Sequence, residues 1–215
     1  MKTVLYLVRH GESIGNLEVR TLGHTDLDLT PLGYAQAAAT FEYMKDFKID
    51  AVYCSPLMRA MHTAEPHAAH RGLTVVPMDG LKEIYLGRWE GMRVEDIVRR
   101  WPYTFTEVWR KNFGLARPVD GEYAPDCADR VMRALTEIAE RHSGQTVLVG
   151  GHGGIFRLAA ARILGIPDER VGDDLPFATN ASVTTVSYED GRFTLERYSY
   201  DEHLAGVGIT RLSGV

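Results

Sequence analysis

The chain has 215 residues, of which 45% are hydrophobic, and a formal net charge of -5. This length is enough for one large domain with its own core. The negative balance argues against nucleic-acid binding, which needs a broad basic face, so any anion site has to be a local cluster of Arg and His. Cys54 and Cys127 follow no metal-binding spacing, and no apolar run is long enough to span a membrane. We expect a cytoplasmic protein.

Strands and helices are predicted in alternation along the chain. The predicted strands cover residues 3–7, 49–54, 73–77, 145–149, 181–188 and 192–200, and the predicted helices cover 32–47, 57–70, 127–142 and 153–164. Thr30-Pro31 and Ser55-Pro56 are typical helix starts, and Pro66 predicts a kink or break in the second helix. This alternation favours an α/β fold with three layers, α/β/α, around a mostly parallel central sheet with one antiparallel edge strand.

Two further segments do not follow the alternation. From Asp79 to Asp126 aromatic and charged residues predominate, and we expect short helices that form a small cap inserted into a single domain spanning residues 1–215. The Gly-rich end, from Ala205 to Val215, is expected to be disordered.

Arg9 and His10 follow directly after the first apolar strand. Open α/β sheets place their chemistry at the carboxyl ends of their strands. A histidine at such an end can serve as a nucleophile, a general base, a metal ligand or a hydrogen-bonded turn residue. This segment alone does not decide among these roles.

His152 stands in the same kind of position, after the apolar strand 145–149 and before a predicted helix. If both strands are central and parallel, the imidazoles of His10 and His152 emerge at the same edge of the sheet. Gly153 and Gly154 would let the backbone approach a ligand, and the amides at the start of the helix would suit a phosphate. The same glycines could instead serve close packing of the helix on the sheet.

Arg59 falls in the first turn of the helix predicted at 57–70, where a cation opposes the helix dipole. A bound phosphate would turn this misfit into a favourable contact. Together, Arg9, Arg59, His10 and His152 would repel a metal ion and attract an anion. A phosphoryl group fits, because a neutral His10 could attack the phosphorus in line while the cations stabilise the equatorial oxygens.

The leaving oxygen of such a reaction needs a proton from a nearby acid. Glu83 follows the third strand, and a carboxyl group partly desolvated under the cap is a suitable donor. The residues alone do not select Glu83 over Glu12, Glu90 or Glu95.

The remaining histidines are expected to be structural or solvated. His24 lies in a loop, where solvation is the favoured interpretation. His62, His67 and His70 lie on one predicted helix, where a solvated or partly packed face is favoured over a metal site.

These motifs resemble the histidine phosphatase superfamily, which includes cofactor-dependent phosphoglycerate mutases and many small-molecule phosphatases. The resemblance rests on Arg9-His10-Gly11-Glu12-Ser13 with Asn16, Ser55-Pro56-Leu57-Met58-Arg59-Ala60 followed by Thr63-Ala64-Glu65, Glu83 before Gly87, and Gly151-His152-Gly153-Gly154 with Arg157. The motifs occur in order over nearly the whole chain.

The resemblance implies specific roles for these residues. His10 would be the nucleophile that forms a phosphohistidine, and Glu83 would be the proton donor and later the base for water. The phosphate pocket would consist of Arg9, Asn16, Arg59, His152 and Gly153. The resemblance further implies that no metal or other cofactor is needed and that the cap determines substrate selectivity.

Departures from the mutase pattern favour the small-molecule phosphatase branch. Gly154 stands where the mutases resembling this chain usually carry an Asn, and the segment behind the cap is shorter, since the chain soon reaches Gly121-Glu122. The usual Gly-Glu-Ser or Gly-Glu-Thr of the family appears here as Gly121-Glu122-Tyr123, so no role is assigned to that hydroxyl. In contrast, Arg110 and Lys111 look like the mutase cations that hold a substrate carboxylate. We therefore expect a phosphomonoesterase acting on a small phosphorylated metabolite, with a phosphoglycerate mutase and a non-catalytic phosphate-ligand sensor as alternatives. A homodimer is left open.

Overall fold

The computed structural model describes residues 1–210 and contains one six-stranded sheet, in the order β3-β2-β4-β1-β5-β6. The strands are β1 (Thr3–Arg9), β2 (Ala51–Cys54), β3 (Val75–Pro77), β4 (Thr146–Gly151), β5 (Val183–Glu189) and β6 (Arg192–Tyr200). β1, β2, β3 and β4 pair in parallel, whereas β5 is antiparallel to both β1 and β6. The antiparallel edge is thus the β5–β6 hairpin.

Helices cover both faces of the sheet. They are α1 (Ile14–Leu17), α2 (Pro31–Met44), α3 (Met58–His70), α4 (Val94–Arg100), α5 (Ala124–Arg141), α6 (Gly153–Leu164) and α7 (Val171–Asp174), with a π-helix at Thr104–Lys111. Successive side chains of a strand point to opposite faces. Val8 of β1 accordingly packs with Met44 of α2 and Ala64 of α3, while Leu5 and Leu7 pack with α5 and α6. The predicted three-layer α/β/α class is confirmed.

The segment between β3 and α5 consists of short helical pieces joined by loops. Besides α4 and the π-helix, it contains 3-10 turns at Asp79–Leu81, Gly87–Trp89 and Phe113–Leu115. Trp89, Phe105, Trp109 and Phe113 are buried and meet ring to ring, and they share one core with Leu5 and Leu7 of the sheet. The aromatic residues that interrupt the sequence pattern therefore fix this segment to the sheet.

The predicted cap of α3 is wrong, and of the kink or break predicted at Pro66 the break does not occur. The helix begins at Met58 with Leu57 at the N-cap and no capping side chain; the Ser55 hydroxyl, two residues before the N-cap, accepts from the Leu57 amide at 3.4 Å and lies 2.8 Å from His152 Nε2. The helix also continues through Pro66 to His70 without a break. A proline removes one backbone hydrogen bond, and packing of the Ala60 and Ala64 face against the sheet offsets that loss. The predicted start of α2 is confirmed, since Thr30 Oγ1 accepts from the Gly33 amide at 3.0 Å.

The last described residues lie near α2. After the 3-10 turn Glu202–Leu204, residues 205–210 form turns and coil, and the Gln36 side chain donates to the Gly208 carbonyl at 3.0 Å and to Thr210 at 3.2 Å. Of the Gly-rich end expected to be disordered, residues 211–215 lie outside the described residues. Within residues 1–210, none of the helices has both the length and the apolar character needed to cross a membrane.

Candidate active site

The two central strands place His10 and His152 side by side. β1 and β4 are parallel neighbours, and Arg9 lies opposite Gly151 at their carboxyl ends. The next residue of each chain segment is a histidine, so the two imidazoles leave the sheet together. Their ring centroids are 5.2 Å apart.

A cavity of about 330 Å³ opens at this edge of the sheet. Among the predicted site residues, the cavity is lined by Arg9, His10, Asn16, Arg59, Glu83 and Gly153. His152 is fully buried and touches the ring of His10 from behind. Leu22, Trp109 and Phe177 add apolar side chains to the lining. The cavity therefore combines cationic and polar groups with apolar ones.

His10 is held in one tautomer. Its Nδ1 lies 2.7 Å from the Gly11 carbonyl oxygen, which only accepts hydrogen bonds, so Nδ1 carries the proton and Nε2 carries the free lone pair. Burial, Arg59 and Arg9 together hold the pKa of His10 well below its usual value of 6.5. His10 is thus neutral at pH 7, which is the state required of a nucleophile.

His152 is the N-cap residue of α6 and is fully buried. Its Nε2 lies 2.8 Å from Ser55 Oγ. Its Nδ1 is buried without a hydrogen-bond partner among the residues that the structure describes. Burial, with Arg59 as the strongest neighbouring charge, lowers the pKa of His152 well below 6.5. A neutral imidazole with one unpartnered nitrogen is suited to bind an added polar group.

Arg9 and Arg59 supply the positive charge, and both are buried. Arg9 Nη1 donates to the Ala178 carbonyl, and its Nε has no partner within residues 1–210. Arg59 donates to the carbonyls of Leu22, Gly23 and Thr25, each at 2.9 Å. Burial lowers the pKa of Arg9 to about 10, so this guanidinium remains charged at neutral pH. Arg59 therefore anchors the loop at residues 22–25 as well as lining the cavity.

The side chain of Glu83 reaches the first turn of α6. Its Oε2 accepts from the Gly154 amide at 2.9 Å, and its Oε1 accepts from the Ile155 amide at 3.0 Å. A Cβ atom at position 154 would lie 2.6 Å from Oε1, and one at position 153 would lie 3.0 Å from Arg9 Nε. The two glycines thus leave room for Glu83 and Arg9. The helix amides that we expected to face a phosphate hold the Glu83 carboxylate in this structure.

The geometry separates Glu83 from the other candidate acids. Glu12 is buried and accepts from Thr30 Oγ1 at 2.7 Å. Glu90 accepts from the backbone amides of residues 24 and 25 at 2.8 and 2.7 Å, and Glu95 is exposed on α4. Of the carboxylates in the described part of the chain, Glu83 is the one that lines the cavity.

Asn16 lines the cavity, and its side chain is oriented by Asn180, a residue that the sequence motifs do not include. The Asn16 Oδ1 atom accepts from the Ser13 amide at 3.0 Å and from Asn180 Nδ2 at 3.1 Å, which leaves its amide nitrogen for a ligand. Asn180 Nδ2 also donates to the carbonyls of His10 and Gly11 at 3.1 and 3.2 Å. No motif marks Asn180 in the sequence, and only its buried position before β5 shows its role.

Arg110 and Lys111 lie away from the cavity. Both side chains are exposed at the end of the π-helix, and Lys111 Nζ pairs with Glu107 at 2.9 Å. Trp109 and Phe113, from the same segment, line the cavity instead. The structure therefore does not bring these two cations to the site.

The other histidines vary in their surroundings. His24 is exposed, as expected of a loop histidine, but its Nε2 donates to the Glu83 carbonyl at 2.9 Å. His62 pairs with Asp28 at 2.6 Å, and His67 is fully buried. Within residues 1–210, no group of three or more His, Cys, Asp or Glu side chains is arranged to hold a metal ion.

Comparisons with known proteins agree with this geometry. Residues 5–201 match the family model described as the histidine phosphatase superfamily (branch 1). The chain is 34% identical over 209 residues to a metal-independent phosphoserine phosphatase of Arabidopsis thaliana, covering 96% of this chain and 85% of the relative. It is 31% identical over 204 residues to an uncharacterized phosphatase, PhoE, of Bacillus subtilis, covering 95% and 98%.

The solved structure of Bacillus stearothermophilus YhfR superposes on the chain with a TM-score of 0.88 at 31% sequence identity. The superposition covers 94% of this chain and 99% of YhfR. The range matched by the family model includes His10, Arg59, Glu83 and His152. This chain belongs to the histidine phosphatase superfamily.

Proposed function

We propose that the protein is a phosphomonoesterase that hydrolyses a small phosphorylated metabolite through a phosphohistidine on His10. The observation that carries the proposal is the state of His10: a neutral imidazole with its Nε2 lone pair free, at a cavity lined by buried Arg9 and Arg59. The phosphatase names of both relatives support the same reaction class.

In the first step, His10 Nε2 attacks the phosphorus atom in line with the ester oxygen. The N–P bond forms, the P–O bond to the leaving alcohol breaks, and protonated Glu83 gives its proton to the leaving oxygen. Arg9, Arg59 and His152 bind the equatorial oxygens, where negative charge concentrates. The unpartnered Arg9 Nε and His152 Nδ1 are the buried nitrogens best suited to this binding.

In the second step, water attacks the phosphohistidine. The Glu83 carboxylate accepts the proton of the water, the O–P bond forms, and the N–P bond breaks to leave inorganic phosphate and neutral His10. The amides of Gly154 and Ile155 hold the Glu83 carboxylate between the two steps. No residue outside the cavity is needed for either proton transfer.

The structure weakens the case for the two alternatives. The mutase hypothesis rests on Arg110 and Lys111, and neither side chain lines the cavity. The sensor hypothesis requires a replaced or misplaced catalytic group, whereas His10, Arg9, Arg59 and Glu83 all lie at one cavity. Phosphate release by hydrolysis is the activity that these positions support best.

The test compares wild type with His10→Ala on 4-nitrophenyl phosphate, with His70→Ala as the matched control because His70 is exposed on α3. We expect His10→Ala to reduce hydrolysis to background and His70→Ala to leave it unchanged. Rapid quenching of the wild type should trap an acid-labile phosphoenzyme that His10→Ala lacks. Full activity in His10→Ala would refute the proposal.

The same preparation separates the alternatives. Incubation with either monophosphoglycerate should yield free phosphate. Interconversion of the two isomers faster than phosphate release would identify a mutase. Binding of inorganic phosphate without hydrolysis of any ester and without a trapped phosphoenzyme would identify a sensor.

A further inference from the structure

Glu83 lies on a segment without regular secondary structure, between the 3-10 turns Asp79–Leu81 and Gly87–Trp89. No ladder of backbone hydrogen bonds fixes the direction of its side chain. The position of a proton donor determines its efficiency, so some other contact has to hold this loop. The structure contains such a contact between the loop and α5.

The side chain of Arg130, on α5, contacts the backbone of the loop that carries Glu83. Its Nη1 donates to the carbonyls of Gly80 and Lys82 at 2.9 and 2.8 Å, and its Nη2 lies 3.4 Å from the carbonyl of Glu83. The Arg130 side chain is 22% exposed. One guanidinium therefore contacts the backbone carbonyls of Gly80, Lys82 and Glu83 itself.

Glu122 completes the contact on the other side. It pairs with Arg130 through both carboxylate oxygens, each at 2.8 Å. Its Oε2 accepts from the Tyr85 amide at 3.2 Å, and its own amide donates to the Tyr85 carbonyl at 2.8 Å. Burial of the pair is partial, and Arg130 keeps the pKa of Glu122 below its usual range, so both partners are charged at neutral pH.

We propose that the Glu122–Arg130 ion pair is a positioning device that holds the loop at residues 80–85 so that the Glu83 carboxyl meets the start of α6. The bidentate pairing fixes the guanidinium, and the guanidinium fixes the carbonyls. Glu122 and Arg130 do not line the cavity, so they act through Glu83 and not on the substrate. The proposal rests on the proposed function, in which Glu83 is the proton donor.

The test exploits the leaving group. An ester of 4-nitrophenol needs little protonation as it departs, whereas an ester of a simple alcohol depends on the acid. We expect Arg130→Met to reduce kcat/KM for an alkyl phosphate at least about tenfold more than for 4-nitrophenyl phosphate, within the range that general acid catalysis contributes. Competitive inhibition by inorganic phosphate should stay unchanged, since the phosphate pocket is intact.

Two further variants keep the test decisive. Arg133→Met is the control, because Arg133 lies on the exposed side of the same helix, and it should behave as wild type. Glu122→Gln keeps the size of the side chain and removes its charge, and it should show the same leaving-group dependence as Arg130→Met in a protein whose circular dichroism spectrum is native. Glu122→Gln also serves if Arg130→Met does not fold.

Equal loss on both esters, weaker phosphate inhibition, or wild-type rates in both variants would overturn the positioning role. These outcomes are distinct from failure of the proposed function. If His10→Ala retains activity, the phosphohistidine mechanism fails. If His10→Ala is inactive and Arg130→Met shows no leaving-group dependence, only the positioning role fails.

Discussion

Gly154→Ala is a small change with a large expected effect on catalysis. The added Cβ would lie 2.6 Å from Glu83 Oε1, whereas ordinary contacts begin at 3.4 Å. The carboxylate therefore has to move by about 0.8 Å, which lengthens or breaks its bonds to the amides of Gly154 and Ile155, now 2.9 and 3.0 Å. A misplacement of about 1 Å can reduce a rate about a hundredfold, which corresponds to an activation barrier higher by about 2.7 kcal/mol.

The assay is kcat/KM for an alkyl phosphate at pH 7, with the inhibition constant of inorganic phosphate measured alongside. Gly206→Ala is the matched control, because a Cβ at position 206 meets no atom within 4 Å. We expect Gly154→Ala to lose activity with phosphate inhibition unchanged. Wild-type kcat/KM would refute the reasoning, and a parallel loss of phosphate inhibition would show that the glycine serves ligand approach and not Glu83.

Three further predictions concern the buried histidines and their neighbours. Burial lowers the pKa of His67 from 6.5 to about 4, so the unfolded state alone gains a proton as the pH falls from about 6.5 toward 4. Stability should therefore decrease over that range by about 3 kcal/mol more in wild type than in His67→Leu, measured by urea denaturation, and parallel pH curves would contradict this. Ser55→Ala removes the 2.8 Å contact to fully buried His152 and should reduce the free energy of unfolding by about 1 to 3 kcal/mol; an unchanged urea midpoint would argue against it. Because the pKa of His10 is lowered by burial and by Arg59 and Arg9, the acid-side fall of kcat/KM in wild type should lie below pH 6.5. In Arg9→Met the fall should begin at higher pH with the same substrate, and coincident pH profiles would count against the assignment.

The layer architecture and the meeting of the two histidines could be predicted from the sequence. Strand–helix alternation predicts the class of fold. Arg9-His10 and Gly151-His152 each follow an apolar strand, so both histidines are expected at the carboxyl ends of central strands. The predicted strand and helix ends differ from those in the structure by a few residues, as for β4, which continues to Gly151. End positions depend on tertiary contacts that local patterns do not contain.

The remaining errors share one cause. Ser55 has the pattern of a helix cap, yet a buried imidazole competes for its hydroxyl. Asn180 carries no local signal, because its partners His10 and Gly11 are far away in the chain. Arg110 and Lys111 match a family pattern, but the π-helix turns them to solvent. Each of these outcomes is set by contacts between distant segments.

The register of β1 and β4 has a consequence for how the site forms during folding. Parallel strands lie about 4.8 Å apart in any sheet, which is close to the 5.2 Å between the rings of His10 and His152. The two imidazoles therefore meet only once the centre of the sheet has paired. Glu83 lies between Leu81 and Ile84, which are buried in the same core cluster as Leu5 and Leu7 of β1. The acid and the paired histidines should therefore be lost together at global unfolding, because they share this core.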